Sequence, residues 1–395
     1  MDTDLIYPNK RPAWAVIEQT RSAMLEAVSV EGASGDDNLL IHGDNLRVLK
    51  SLLTHYGMKA NVDLVYIDPP FATDTVYKHN TRRTSTVSPA NDDHVAYADK
   101  LKGTEFLEFL RERLILIREL MASHASIYLH IDCKIGHYVK IIMDEVFGQE
   151  NFRNDITRIK CNPKNFARKG YGNVKDLILF YTRSEDFIWH EPKLPLTQEE
   201  TERLFPKIDA HGRRYTTTPL HAPGETQKGN TGREWKGQLP PKGRHWRYDP
   251  SVLDELDAQG LIEWSSTGNP RKIIYADEAE ARGKRLQDIW EFKDPPYPRY
   301  PTEKNLDLLR TIIATSSDPG QRVLDCFCGS GTTLVAAQKL GRHWIGVDES
   351  KVAIDISKSR LAGKDKSLIS LMPGFTYLAE GGCEESVRGS QRAGS

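Results

Sequence analysis

DLVYIDPPFATD, residues 63–74, decides the architecture of this chain. Val62, Leu64, Val65, Tyr66 and Ile67 form a short apolar, β-rich run that reads as a buried parallel strand. It stops at Asp68-Pro69-Pro70-Phe71. Neither proline has an N–H to give a neighbouring strand, so the chain must leave the sheet there as a stiff extended turn. A carboxylate and an aromatic ring are thereby held at the carboxyl end of a strand, the edge where open α/β sheets bind ligands. Asp68 and the Pro69 carbonyl can each accept a hydrogen bond, and Phe71 offers a face for stacking. The exocyclic amine of a nucleobase has the two N–H donors, and its ring has the π surface. The alternative is a proline-stiffened loop whose Asp faces solvent.

With 395 residues, 38% hydrophobic and 28% charged, the chain can bury a large core and divide into two or three structural units. No apolar run approaches the ~20 residues a bilayer span needs. The N-terminal MDTDLIYPNKRPAW has no apolar signal core, so a cytoplasmic protein with no membrane partner is expected. The five cysteines, at 133, 161, 326, 328 and 383, form no CxxC pair and have no matching His or Cys cluster. Reduced structural thiols are expected, and no metal site. A net charge of -1 gives no global sign of a nucleic-acid partner, which must be sought in local patches.

Residues 1–37 end in EGASGDD and read as an arm before the domain proper. Residues 39–42 make a short strand, followed by Gly43-Asp44-Asn45 and a helix with Leu46, Leu49 and Leu53 on one face. Asp44 either caps that helix or lines a ligand pocket. Residues 72–103 have no periodicity and form either a lid or a disordered segment. Next comes a helix with Phe106, Leu110, Leu114, Ile117 and Met121 inward, and Glu105, Arg111, Glu112 and Arg118 in solvent. Strands at 125–132 and 177–181 with a helix between them continue the alternation of a parallel sheet.

From 191 to 300 the pattern breaks, and Pro, Gly and Trp rise. Between His211 and Arg247 eight basic residues, among them Arg233, Arg244 and Arg247, face two acidic ones, with Tyr215, Trp235, Trp246 and Tyr248 interleaved. That composition suits phosphate contact with base stacking; a solvated loop is the plain alternative. A second cationic stretch, 153–175, includes Arg158, Lys160, Arg168 and Lys169. Order returns at 301, with the strand RVLDC at 322–326, the turn FCGSGTT at 327–333, a helix, and the strand HWIGV at 343–347 ending at Asp348. Glycines in the first turn of a βαβ unit let a ligand approach the backbone, and the acidic residue can accept from both ribose hydroxyls. The third glycine of a dinucleotide fingerprint is absent, so a smaller adenosine-bearing cofactor suits the turn better than NAD. The polar, Gly/Ser-rich 366–395 is expected to be disordered.

Taken together, IHGDNLRVLKSLL, LVYIDPPFATD, ASIYLHIDCKIGHYVKIIMDEVFG, DLILFYTRS, TEKNLDLLRTII and VLDCFCGSGTTLVAAQKLGRHWIGVDES closely resemble the β-class amino-methyltransferases of DNA. They are nearest to the adenine-N6 branch and to type III modification subunits. The resemblance implies an α/β, Rossmann-like, seven-stranded, mainly parallel sheet with one reversed strand, the class I methyltransferase fold in permuted motif order. Its catalytic half would be 38–190, its target-recognition insertion 191–300 and its cofactor half 301–365. The resemblance also implies S-adenosylmethionine as cofactor, double-stranded DNA as substrate, and a homodimer or a cognate restriction subunit as partner. Asp68, Pro69, Pro70 and Phe71 would be catalytic. Asp325, Phe327, Gly329, Ser330, Gly331 and Thr332 would form the cofactor loop, with Asp348 on the ribose, Asp44 and Asn45 near the adenine, and Lys304 in the helix that completes the pocket. Arg168, Lys169, Arg233, Arg244, Trp246 and Arg247 would touch DNA. The family usually has proline where Cys326 stands, and often where Asn305 stands. Cytosine-N4 methylation, an RNA or protein amide substrate, and a DNA-binding module with an inactive core are the competing readings.

Overall fold

A computed structural model describes residues 4–32, 37–70, 76–80, 83–84, 94–98, 103–163, 169–226, 228–295, 303–362 and 374–381. Ten strands form one sheet: β1 Leu25–Glu31, β2 Leu39–His42, β3 Val62–Ile67, β4 Met121–Ile131, β5 Phe152–Ile159, β6 Lys175–Thr182, β7 Ile289–Trp290, β8 Arg322–Asp325, β9 His343–Asp348 and β10 Phe375–Glu380. Their order is β1-β10-β2-β9-β8-β3-β4-β6-β5-β7. Neighbours run parallel except that β6 is reversed against β4 and β5, and β1 is reversed against β10.

The mainly parallel, Rossmann-like sheet is therefore present, with three strands beyond the seven expected. Two of them come from segments read as arm and tail. Within 1–37, β1 pairs along β10, and within 366–395, Phe375, Tyr377, Leu378 and Ala379 of β10 are buried. Such burial pays the ordering entropy that the polar flanks alone could not. The third, β7, had been placed in the insertion.

Helices on the two faces supply the core. In Asn45–Thr54, Val48, Leu49 and Leu52 are buried, and Asp44 caps its first turn by accepting from the Arg47 N–H. Gly103–Leu120 buries Phe106, Leu110, Leu114 and Ile117 as its spacing predicts. Arg111, expected in solvent, is buried against Glu145 and the Arg11 carbonyl.

Residues Lys193–Leu286 form a second compact unit. Four short antiparallel strands in the order Lys207–Ile208, Arg214–Pro219, Pro270–Tyr275, Ile262–Trp264 make its sheet. Leu220, Trp235, Trp246, Leu253 and Leu256 make its core. Trp235 stacks on Trp264 with centroids 5.7 Å apart and meets Trp246 edge-on.

Candidate active site

Far apart in the chain, β3 and β8 lie side by side, with Leu64 opposite Val323 and Val65 opposite Leu324. Their carboxyl ends bring the DPP turn and the glycine-rich turn to one sheet edge. Pro69 is buried, and Asp68 and Pro70 are half-buried. Phe71 lies outside the described residues. Lys304 Nζ is 2.8 Å from Asp68 Oδ2. The other oxygen, Oδ1, is shielded from solvent and has no hydrogen-bond partner among the described residues. Leaving a buried acceptor unmet costs about 1–3 kcal/mol, so an oxygen held this way is suited to a donor from outside the chain. Lys304 was expected in a helix beside the cofactor. Instead it precedes the helix Leu306–Ser316, and its ammonium serves Asp68. Asn305 is that helix's N-cap, accepting from the Asp307 and Leu308 N–H groups, which accounts for Asn where proline is common.

Behind Asp68 lies a buried polar cluster that local motifs did not signal. His130 Nδ1 is 2.9 Å from the Tyr66 hydroxyl and 4.0 Å from Asp68 Oδ1; Nε2 is 3.2 Å from Asp176 Oδ2. Lys160 Nζ donates to Asp176 Oδ1 at 2.6 Å, and the fully buried Arg158 bonds the Phe292 carbonyl and Asp294. Of two residues counted in the sequence as a patch for nucleic acid, Arg158 is thus committed inside the protein and half-buried Lys160 is committed to Asp176.

The glycine-rich turn is built around two carboxylates. Gly329 N–H donates to Asp348 Oδ2 at 2.8 Å and Ser350 N–H to Oδ1 at 2.9 Å. Phe327 N–H donates to Asp325 Oδ1 at 3.0 Å. Burial pushes Asp325 up to about 7, with the charges of Asp68 and Asp348 adding to the rise, and burial pushes Asp348 up to about 6. Gly329 and Gly331 have φ of 50° and 74°. A Cβ at Gly331 would stand 2.7 Å from Ser357 Oγ, and that hydroxyl donates to the Gly329 carbonyl. Ser330 and Thr332, expected to face the ligand, are buried and accept from Arg360 at 2.9 and 3.0 Å.

Asn45 and Asp44 meet this turn from β2. Asn45 Nδ2 donates to the Cys326 carbonyl at 2.8 Å, and Arg113 Nε donates to Asn45 Oδ1. Arg113, buried, also lies 3.5 Å from Asp44 Oδ2 and 3.5 Å above the Phe109 ring, which packs against Phe327. No local spacing signals this cation, because its polar side-chain partners Asn45 and Asp44 are more than sixty residues away.

A ligand bearing a positive centre and a diol fits here. The Asp68 and Asp348 charges both raise Asp325, so the edge is electronegative and favours a cation. Each Asp348 oxygen has given one acceptor site to the backbone, and a carboxylate has about four, leaving two for paired hydroxyls.

In the second unit, Arg233, Arg244 and Arg247 are exposed. Arg244 contacts His221 Nδ1 and Arg247 bonds the Pro219 carbonyl. Trp246, expected to stack on DNA, is 1% exposed and its indole N–H donates to the Arg233 carbonyl. It is a core residue, packed edge-on against Trp235 in the cluster with Leu220, Leu253 and Leu256. Lys169 is exposed; Arg168 lies outside the described residues. Among the described residues no group of three His, Cys, Asp or Glu is placed to hold a metal, and no helix is long and apolar enough to cross a membrane.

The model of the N6/N4 methyltransferase family of DNA methylases matches residues 62–359. A type II methyltransferase, M.EcaI from Enterobacter cloacae, is 40% identical over 367 residues, 91% of this chain and 77% of that protein. The StyLTI modification subunit of a type III restriction-modification enzyme from Salmonella typhimurium is 27% identical over 78% of this chain, which spans 50% of that protein. The crystal structure of the M1.HpyAVI–SAM complex is 16% identical, with a TM-score of 0.43, covering 82% of this chain and 100% of that one.

Proposed function

The chain belongs to the N6/N4 family of DNA methylases, and from that premise we propose that it methylates the N6 amine of adenine in duplex DNA, within a recognition sequence read by the Lys193–Leu286 unit. Its methyl donor is S-adenosylmethionine, which supplies an electrophilic sulfonium methyl when bound. Asp325, Asp348, Asn45 and the 327–331 backbone would hold that donor. The observation that carries the reading is Asp68 Oδ1, buried and unmet among the described residues, at the edge where the two turns meet.

An exocyclic amine is a poor nucleophile because its lone pair is spread into the ring. Accepting its N–H groups at Asp68 and the Pro69 carbonyl favours a pyramidal nitrogen, and alignment supplies the remaining rate. The amine lies inside the duplex, so the base is flipped out at a cost of a few kcal/mol, offset by stacking on Phe71. Asp at position 68, where cytosine-N4 enzymes more often carry Ser, favours adenine. Exposed Lys169, Arg233, Arg244 and Arg247 are assigned to the phosphate backbone.

The test is transfer of tritiated methyl to DNA followed by mass spectrometry of the nucleosides. N6-methyladenine is expected; N4-methylcytosine would move the base assignment, and label in RNA or protein alone would replace the substrate. A cognate restriction subunit, a homodimer and action in the cytoplasm belong to the same proposal. Co-purification and sedimentation from the native host read out the first two.

A further inference from the structure

The turn that carries Asp68 does not account for the ordered polar chain packed behind it. Asp176 on β6 receives Lys160 Nζ at 2.6 Å and His130 Nε2 at 3.2 Å. Burial alone would raise it, but the bonds from His130 and Lys160 hold it below the usual carboxylate range, so it is an acceptor only. The proton on the His130 ring must therefore sit on Nε2. Burial, with Lys304 nearby, lowers His130 and keeps the ring neutral, which leaves Nδ1 bare. The Tyr66 hydroxyl, kept protonated by burial, donates to Nδ1 at 2.9 Å.

We propose that His130 is a positioning residue for Asp68: Asp176 and Tyr66 lock the ring with its proton facing away, so that Asp68 Oδ1, 4.0 Å from Nδ1, stays open to the target amine. With the proton on Nδ1, the ring would be a donor beside that oxygen and would compete with the amine for it. Lys304 occupies the opposite oxygen, which fixes the carboxylate's rotation and aims the open lone pairs. The groups facing the ring include Tyr66 and Asp68 from β3, Asp176 from β6 with Arg158 and Lys160 beyond it, and Lys304. The inference rests on Asp68 taking the amine.

Tyr66→Phe tests it, because the ring stays buried and only the donor to Nδ1 is lost. The single-turnover transfer rate should fall about 10- to 100-fold, with affinity for S-adenosylmethionine within about twofold of wild type. The acid limb of the rate profile should move to higher pH, since the lost bond favoured the neutral ring. His130→Asn should lose rate and that limb together. A Tyr66→Phe enzyme with wild-type rate and an unmoved limb would overturn the assignment. So would one whose cofactor affinity and melting temperature fall in step with its rate, the mark of a structural role. Asp68→Ala is assayed alongside: turnover in that variant removes the amine reading itself, whereas its loss beside a normal Tyr66→Phe removes only the role of His130.

Discussion

Asp68 and Asp348 stand at the ends of the strands on either side of β8, and they are used in opposite ways. Asp348 takes the Gly329 N–H of the glycine-rich turn on one oxygen and the Ser350 N–H of its own turn on the other, so that carboxylate ties the two turns together before any ligand arrives. Asp68 gives one oxygen to Lys304 and leaves the other unmet among the described residues. A carboxylate already met within the chain shapes the site before it serves a ligand; one kept buried and short of a partner is held for something external.

The sharpest way to break this contrast is Asp68→Ala. Methyl transfer should fall by about a thousandfold or more, while calorimetry finds S-adenosylmethionine bound about as in wild type. Near-normal turnover would erase the distinction. Asp348→Ala should do the reverse. Cofactor affinity should weaken about 100-fold, and stability should drop by about 2 kcal/mol as two backbone donors lose a charged acceptor, read by urea melts. Unchanged binding would place the ribose elsewhere.

Protons sharpen the contrast at the glycine turn. With Asp325 near 7 and Asp348 near 6, the folded state keeps protons that the unfolded chain releases near 4. Stability from these carboxyls is present below the unfolded value and is lost as pH rises towards 7. Asp325→Asn should therefore gain on wild type between pH 5 and 7.5, by on the order of 1–3 kcal/mol in denaturant midpoints. A constant difference across that range would mean Asp325 titrates normally. The smallest effect belongs to the second unit, where the Arg233 side chain makes no ion pair or hydrogen bond among the described residues, unlike Arg158 and Arg360. Arg233→Ala should weaken DNA binding about threefold and reduce the salt slope by about one, leaving the melting temperature alone. An unchanged salt slope would remove Arg233 from the DNA surface.

Much of the sheet was legible because its central strands are continuous apolar runs bounded by turn residues, and because 327–331 and 68–70 carry backbone requirements few residues meet. The strands beyond β2 were not: LEAVSVE and FTYLAE are short and set in polar sequence, and FTYLAE is a strand because it pairs with β2 on one side and LEAVSVE on the other. Side-chain roles failed where burial decides them. Charge counting put Arg158 and Lys160 on the surface, and aromatic counting put Trp246 on DNA, because composition does not record which side of a strand a residue occupies. The Tyr66–His130–Asp176 chain joins three strands and has no local spacing to read.

The second unit is joined through a stem in which Lys193 and Leu194 pair with Arg285 and Lys284. Its entry and exit therefore lie one strand spacing apart, about 5 Å. A foreign cassette whose ends match that short pairing could be grafted between residues 192 and 287 without cutting any strand of the large sheet.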